Sequence, residues 1–405
     1  MMMIENILRV GREDPTKLIH ALKVGMALTL ASMLYLVGPL YSGIGENAVW
    51  GVITVVVVFE ATVGATLSKG VNRLIGTLCA GSLAFLLICV VDKSGRTSSA
   101  IFIGIVVFLT GTAATYLRFI PHIKKTYDYS FVVFLITFNL LAASSFRTNH
   151  VIEVTLERIC TVAIGCGICL VMTLVFPDWS GSEFHNSTAS KLDFLAESID
   201  ACVNKYFEDS ENIEESSDDV DHIQRVYESI LDSKATDDTL ALHASWEPMH
   251  STYRYKYPWE EYVRLGSVLR QFGFTVVALH ACLQSQDQTP RAFPDSLKDS
   301  STRFVKEISG TLKELADSIR DKRLLAPTLV SGHHGALKDL DDAVKSQPQS
   351  LKISEAFMAL LVGMAAKLDK VIEQAENLGQ RSRFNQYIPD TIEIIIVADD
   401  ENRTE

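Results

Sequence analysis

The side chains best placed to do chemistry in this chain are charges set inside, or at the edge of, long apolar stretches. Lys23 lies one turn into the first stretch, and Glu60 sits deep in the second. Lys69 and Arg73 are four residues apart, so a helix through that segment puts them on one face. Arg118 ends the fourth stretch, with Lys124 and Lys125 soon after, and Arg147 and Arg158 bracket the last polar connection. An ionised group costs about 2.5–3.5 kcal/mol at the centre of a membrane helix, so it normally faces a bundle interior or a watery path. Cations outnumber Glu60 along these stretches, and rings of Lys and Arg suit anion pores. The same residues can also anchor helix ends by snorkelling to the interface. The two uses stand level for Lys124 and Lys125, the pore is favoured for Lys23 and Arg158, and Glu60 is expected to pair with a buried cation.

Enzyme chemistry has no comparable foothold. The chain contains no G-x-x-x-x-G-K-[ST], no G-x-S-x-G and no H-E-x-x-H. Gly64 to Gly70 superficially matches a phosphate loop but has the wrong spacing. His333-His334 reads as a solvated loop pair, so neither a metal nor a cofactor is expected. The seven cysteines are scattered and odd in number, which is no disulfide framework. Cys166 and Cys169 form a C-x-x-C inside a membrane-length apolar run, where packing is the expected role.

The elements that must position these charges are helices. Six runs approach the length of about 20 apolar residues that a spanning helix needs. They cover roughly 19–40, 48–67, 74–91, 100–117, 129–146 and 159–176. Small residues within them, such as Gly76, Ala80 and Gly81, suit close helix packing in lipid. With the N-terminus inside, the inner segments 1–18, 68–73 and 118–128 hold eight Lys and Arg against at most four outside. That asymmetry predicts a cytosolic N-terminus and C-terminal half.

Beyond Pro177 the pattern turns amphipathic, with helical spacing over 188–207, 220–233, 259–286, 296–319 and 350–378. Residues 208–219 read as an exposed loop, 345–350 as a breaker, Thr391 to Val397 as a short strand, and the last residues as disordered. The fold class expected is therefore all-α, with a six-helix transmembrane domain followed by a helical cytosolic domain. The expected divisions are a cytosolic segment over 1–18, a pore domain over 19–180, a cytosolic domain over 181–380 and a tail over 381–405. The first 180 residues carry a formal charge of +3 and the remainder −15, giving −12 in all. An acidic soluble part excludes nucleic acid as its partner, because phosphate binding needs clustered Lys and Arg.

Several specific stretches resemble the plant aluminium-activated malate transporter family. They include Trp50-Gly-Val-Ile-Thr-Val-Val-Val-Val-Phe-Glu60 and the segment from Gly64 to Arg73. Arg118-Phe-Ile-Pro121, Trp246-Glu247-Pro248 and the run from Leu269 to His280 match as well. The stretch from Tyr35 to Trp50 is most similar to the branch that holds the rapid-activating guard-cell anion channels. The resemblance implies a homodimeric, voltage-gated anion channel with a cation-lined pore at the dimer centre. It implies malate and other dicarboxylates as permeants, with sulfate, nitrate or chloride beside them. Carried onto this chain, the pore candidates are Lys23, Lys69, Arg73, Arg118 and Arg158, and the gating candidates are Glu247 and Trp246. The plasma membrane is the expected location, with the vacuolar membrane as the alternative.

Two features depart from the family pattern. The outer loop from Val37 to Val49 holds one acid, Glu46, where a trivalent cation wants several convergent carboxylates. Strong activation by external aluminium is therefore not expected. The linker from Val344 to Ala356 is also short, where family members often carry a long polar insert. The main rival function is a proton-coupled organic-anion exporter, for which Glu60 is the one titratable candidate on the path. A third is a non-conducting scaffold. Reversal potentials separate the three.

Overall fold

The computed structural model describes residues 12, 15–37, 49–91, 96–145, 151–207, 226–248, 258–285, 295–325, 334–340, 342 and 355–385. The expected loop at 208–219, the breaker at 345–350, the strand from Thr391 to Val397 and most of the outer loop after Val37 lie outside them. So do Arg147 and His333. Among the described residues every extended element is helical, and β pairing is limited to an isolated bridge between Arg323 and Asn385. The all-α class is what the periodicity requires.

The chain divides into two compact units. The first comprises residues 1–180 together with Leu242–Pro248. Its helices are α1 (Pro15–Leu36), α2 (Val49–Val58), α3 (Val63–Val91), α4 (Arg96–Leu117), α5 (Pro121–Ser145) and α6 (Val151–Val175). Helix α3 packs along α5 and α6, α2 lies against α6, and α1 covers both α2 and α6. One core forms around Ala27, Ala31, Val55, Val58 and Val162, and a second around Ala80, Ala84, Phe138 and Leu141. Leu22, Leu30, Phe108 and Leu109 face outward. An apolar exterior over an apolar core is the signature of a protein solvated by lipid. Helices α3, α4, α5 and α6 are each long and apolar enough to cross a membrane.

The second apolar run departs from its expected form. Residues 48–67 do not make one span. Helix α2 stops after ten residues, at Val58, and α3 starts at Val63. The break is held by local hydrogen bonds rather than by Gly or Pro, which is why the valine run gives no warning of it. Thr62 caps α3, its hydroxyl accepting from the Ala65 amide (3.4 Å), as an N-cap threonine does. Thr66 Oγ1 accepts from the Glu60 amide and donates to the Glu60 carbonyl. Residues 68–73, expected as an inner connection, consequently lie inside α3.

The second unit comprises Gly181–Ala241 and Met249–Glu405. Its helices are α7 (Ser180–Phe207), α9 (Trp259–Ser285), α10 (Asp295–Arg320) and α11 (Glu355–Ser382). A π-helical turn (Tyr227–Leu231) precedes α8 (Lys234–Ser245), whose last residues belong to the first unit. Helix α7 begins eight residues before its expected start, because Phe184 and His185 are buried despite polar neighbours. By length and composition α9 is also apolar enough to span. Its apolar side, however, is spent within this unit: Leu265, Leu269, Phe272 and Val276 are fully buried, and α9 packs along α11. Its outer stripe carries Glu260, Arg264 and Gln271. Helices α10 and α11 end on Lys322 and Arg383, both with φ near +55°, and the chain beyond each end pairs through Leu324, Asn385 and Lys322. A left-handed residue closing a helix is the usual C-terminal stop.

Candidate functional site

Short helix α2 supplies one side of a buried cationic cluster. Arg73, on α3, is 7% exposed. Its Nε donates to Thr54 Oγ1 (3.0 Å) and its Nη1 to Tyr129 Oη (3.1 Å). Thr54 Oγ1 passes its own proton to the Trp50 carbonyl oxygen, 2.6 Å away. Arg158, on α6, is 4% exposed and lies flat over the Trp50 ring, 3.6 Å from its centroid. Its Nη1 is buried without a hydrogen-bond partner among the described residues. The two guanidiniums repel each other, and neither forms an ion pair with a described carboxylate. A cation–π contact offsets part of the lost hydration, but an unsatisfied buried N–H of a charged group is costly. An anion reaching the cluster would supply the acceptor that Arg158 Nη1 lacks among the described residues.

The other expected pore cations are placed differently. Lys23 is 1% exposed and donates to the Phe176 carbonyl (2.7 Å) and to Asp178 Oδ2 (2.5 Å), tying α1 to the end of α6. Lys69 pairs with Glu60 across the α2–α3 break, and both are more than a third exposed. Arg118 holds Asp128 through two bonds, 2.7 and 3.0 Å, across the α4–α5 turn. Thus Arg73 and Arg158 come together, while Lys23, Lys69 and Arg118 each hold a carboxylate. Glu60 pairs with a cation, though with the nearby Lys69 and at a partly exposed position. Cys166 and Cys169 are both buried, and Cys166 Sγ lies against the Gly70 carbonyl, so the C-x-x-C packs. No three His, Cys, Asp or Glu residues among those described gather where a metal ion would bind.

The gating candidates fall in the segment that joins the first unit. Glu247 is fully buried and Trp246 partly so. The corner is closed by the Trp246 amide donating to the His243 carbonyl (2.9 Å) and the Glu247 amide to the Ala244 carbonyl (3.3 Å). It sits on Gly64, in the first turn of α3. A Cβ there would collide with the His243 carbonyl and meet Glu247 Cγ at 3.2 Å. Only glycine permits this approach. Burial holds the His243 imidazole below its ordinary pKa; Glu60 pulls it upward and Lys69 adds to the lowering.

Sequence reasoning missed Trp50, Thr54, Tyr129, Asp178 and Asp128 as partners. Trp50 lies within a stretch that carries the family resemblance, but nothing in local spacing links Lys23 to Asp178 across 155 residues.

A bundle of apolar helices around buried, carboxylate-free guanidiniums defines a multi-pass membrane protein. Residues 8–356 match the family described as aluminium activated malate transporter, and the chain belongs to that family. It is 55% identical to aluminum-activated malate transporter 12 of Arabidopsis thaliana over 342 residues, 84% of this chain and 61% of that protein. With transporter 14 of the same plant the identity is 53%, covering 85% of this chain and 64% of the relative. With transporter 1 of Triticum aestivum it is 38%, covering 96% and 87%. The chain therefore spans less than two thirds of the first two of these relatives. The family is one of transporters.

Proposed function

We propose that this protein is a gated anion channel of a plant membrane, passing malate and other organic or inorganic anions through a cation-lined path. The observation that carries this reading is the Arg73–Arg158 cluster, and above all the buried Arg158 Nη1 with no hydrogen-bond partner among the described residues. A fixed structural cation is normally neutralised by a carboxylate, as Lys23 is. A cation that must meet passing anions cannot keep one. The relatives' names support malate as a permeant. The protein works as a homodimer with the pore at its centre, in the plasma membrane, with both termini cytosolic. Lys23, Lys69 and Arg118 shape the path and its mouths through the carboxylates they hold.

Patch-clamp recording tests the reading. Reversal potentials should follow the malate gradient and ignore pH, whereas a proton-coupled exporter would shift with pH. Arg158→Ala should lower anion conductance at equal surface expression. Full conductance in Arg158→Ala, Arg73→Ala and the double variant would overturn the pore assignment.

Gating is proposed to act through the Glu247 corner. Helix α3 starts under that corner and carries Lys69 and Arg73, so a shift of one end of α3 moves the cations on it. Glu247→Gln should displace the voltage dependence and leave relative permeabilities unchanged. Altered selectivity would instead put Glu247 on the permeation path.

A further inference from the structure

A cavity of about 510 Å³ opens between α3, α4 and α5. Its walls are Ile75, Cys79, Leu109, Ala113, Leu117 and Phe134, and its floor is the close approach of Gly76 to the Ser130 carbonyl. Almost all of this lining is apolar, and it lies among helices with outward-facing Phe108 and Leu109. An open apolar groove in a lipid-solvated face is a seat for a hydrocarbon chain.

Toward the start of α5 the groove approaches a lysine. Tyr127, Ser130, Phe131 and Phe134 line it from α5 at helical spacing. Continuing that face one turn toward the start of α5 reaches Lys124, which is exposed. Leu117 closes the groove from α4, and the next residue, Arg118, is neutralised by Asp128. Asp128 also lies within the field of Lys124. With Arg118 and Asp128 cancelling, Lys124 supplies the positive charge beside this end of the groove.

We propose that the groove holds one acyl chain of an anionic phospholipid, with the lipid phosphate seated at Lys124 beside the α4–α5 turn. The groove is apolar where an acyl chain would lie and cationic where a headgroup would reach the interface. A lysine there keeps its ammonium in the polar layer while its stem lies along the chain. Such a lipid would brace α4 against α3 and α5.

The test uses the full chain purified in an uncharged detergent, with thermal unfolding and native mass spectrometry as readouts. Phosphatidylserine should raise the unfolding temperature more than phosphatidylcholine of the same acyl chains, and glycerophosphoserine, the headgroup alone, should do nothing. Lys124→Glu should weaken phosphatidylserine retention about fivefold or more, the scale of one lysine near an anionic lipid, and leave phosphatidylcholine unaffected. Ala113→Phe, which fills the groove, should reduce retention of both lipids. Should that variant fail to fold, the Lys124→Glu comparison decides alone. Equal effects of the two lipids on the wild-type chain, or a serine-lipid preference that survives Lys124→Glu, would overturn the proposal. Stabilisation by glycerophosphoserine alone would overturn it too, because the acyl chain would then be irrelevant.

Discussion

The two units bury charge in opposite ways. In the second, Asp237 is 1% exposed and takes both Lys191 and Arg270, with Ser233 on the same carboxylate. Glu261, also buried, takes Arg264 and Arg381. In the first unit the buried Lys23 follows the same rule, but among the described residues Arg73 and Arg158 meet hydroxyls and a ring rather than a carboxylate. Burial of an unpaired charge is expensive, so a fold keeps one only where something outside the chain is to complete it. On the proposed reading, paired charges mark structure and the unpaired ones mark the anion path.

The largest effect that would break this contrast is on folding. Asp237→Ala leaves Lys191 and Arg270 buried side by side with their shared carboxylate gone. Losing one partner of a buried pair typically costs about 3–5 kcal/mol. Thermal unfolding of the purified variant should show that loss, and any protein that reaches the surface should keep wild-type selectivity. A selectivity change would mean that the second unit's charges also serve the path.

His185 sharpens the comparison through pH. It is 1% exposed, bonded to Tyr262 at 2.7 Å and set edge-to-face against the Phe384 ring. Burial lowers its pKa from 6.5 to about 4, with Lys322 adding to the effect. The unfolded chain thus binds a proton that the folded one refuses between those values. The stabilisation is complete above pH 6.5 and is lost as pH falls through 4, by about 3 kcal/mol at about 1.4 kcal/mol per unit. His185→Phe should flatten the acid limb of the unfolding profile. A limb as steep as before would assign it to other groups.

Arg158 should behave in the reverse manner to Asp237. Arg158→Gln removes a desolvated charge with no ion-pair partner, so stability should stay level or rise. Conductance should fall about tenfold, the worth of roughly 1.5 kcal/mol, at the low end for a hydrogen bond to a charged group. Unfolding and single-channel recording on one preparation check both halves. A large loss of stability would mean that the cluster is structural.

Reading the chain from its residues reached the helices well and the partners poorly. Apolar run length is a local property, so α3 to α6 are visible in sequence, and so is the amphipathic stripe of α11. The α2–α3 break is not, because Thr62 and Thr66 hold it by hydrogen bonds that residue spacing does not specify. Candidate cations were visible as charges in apolar runs. Which of them had been neutralised was invisible, since Asp178 reaches Lys23 only through the tertiary fold. Spacing also cannot tell Arg118, ten residues from Asp128, from Arg158, which finds a tryptophan ring.

The smallest expected effect is therefore the most discriminating for Arg118. Its pair with Asp128 has good two-bond geometry, but the side chains are 33% and 37% exposed. Screening at that exposure leaves such pairs worth about 0–1 kcal/mol. A double-mutant cycle with Arg118→Gln and Asp128→Asn should give a coupling energy in that range from unfolding of the purified chain. The conductance arm carries the larger lesson. If Arg118 only fastens the α4–α5 turn, Arg118→Gln and Asp128→Asn should change current equally and slightly. If it faces passing anions while held by Asp128, the two variants should diverge: Arg118→Gln lowers anion current, and Asp128→Asn, which frees the guanidinium, raises it. Equal small changes would remove Arg118 from the proposed path and leave Arg73 and Arg158 as its candidate cations.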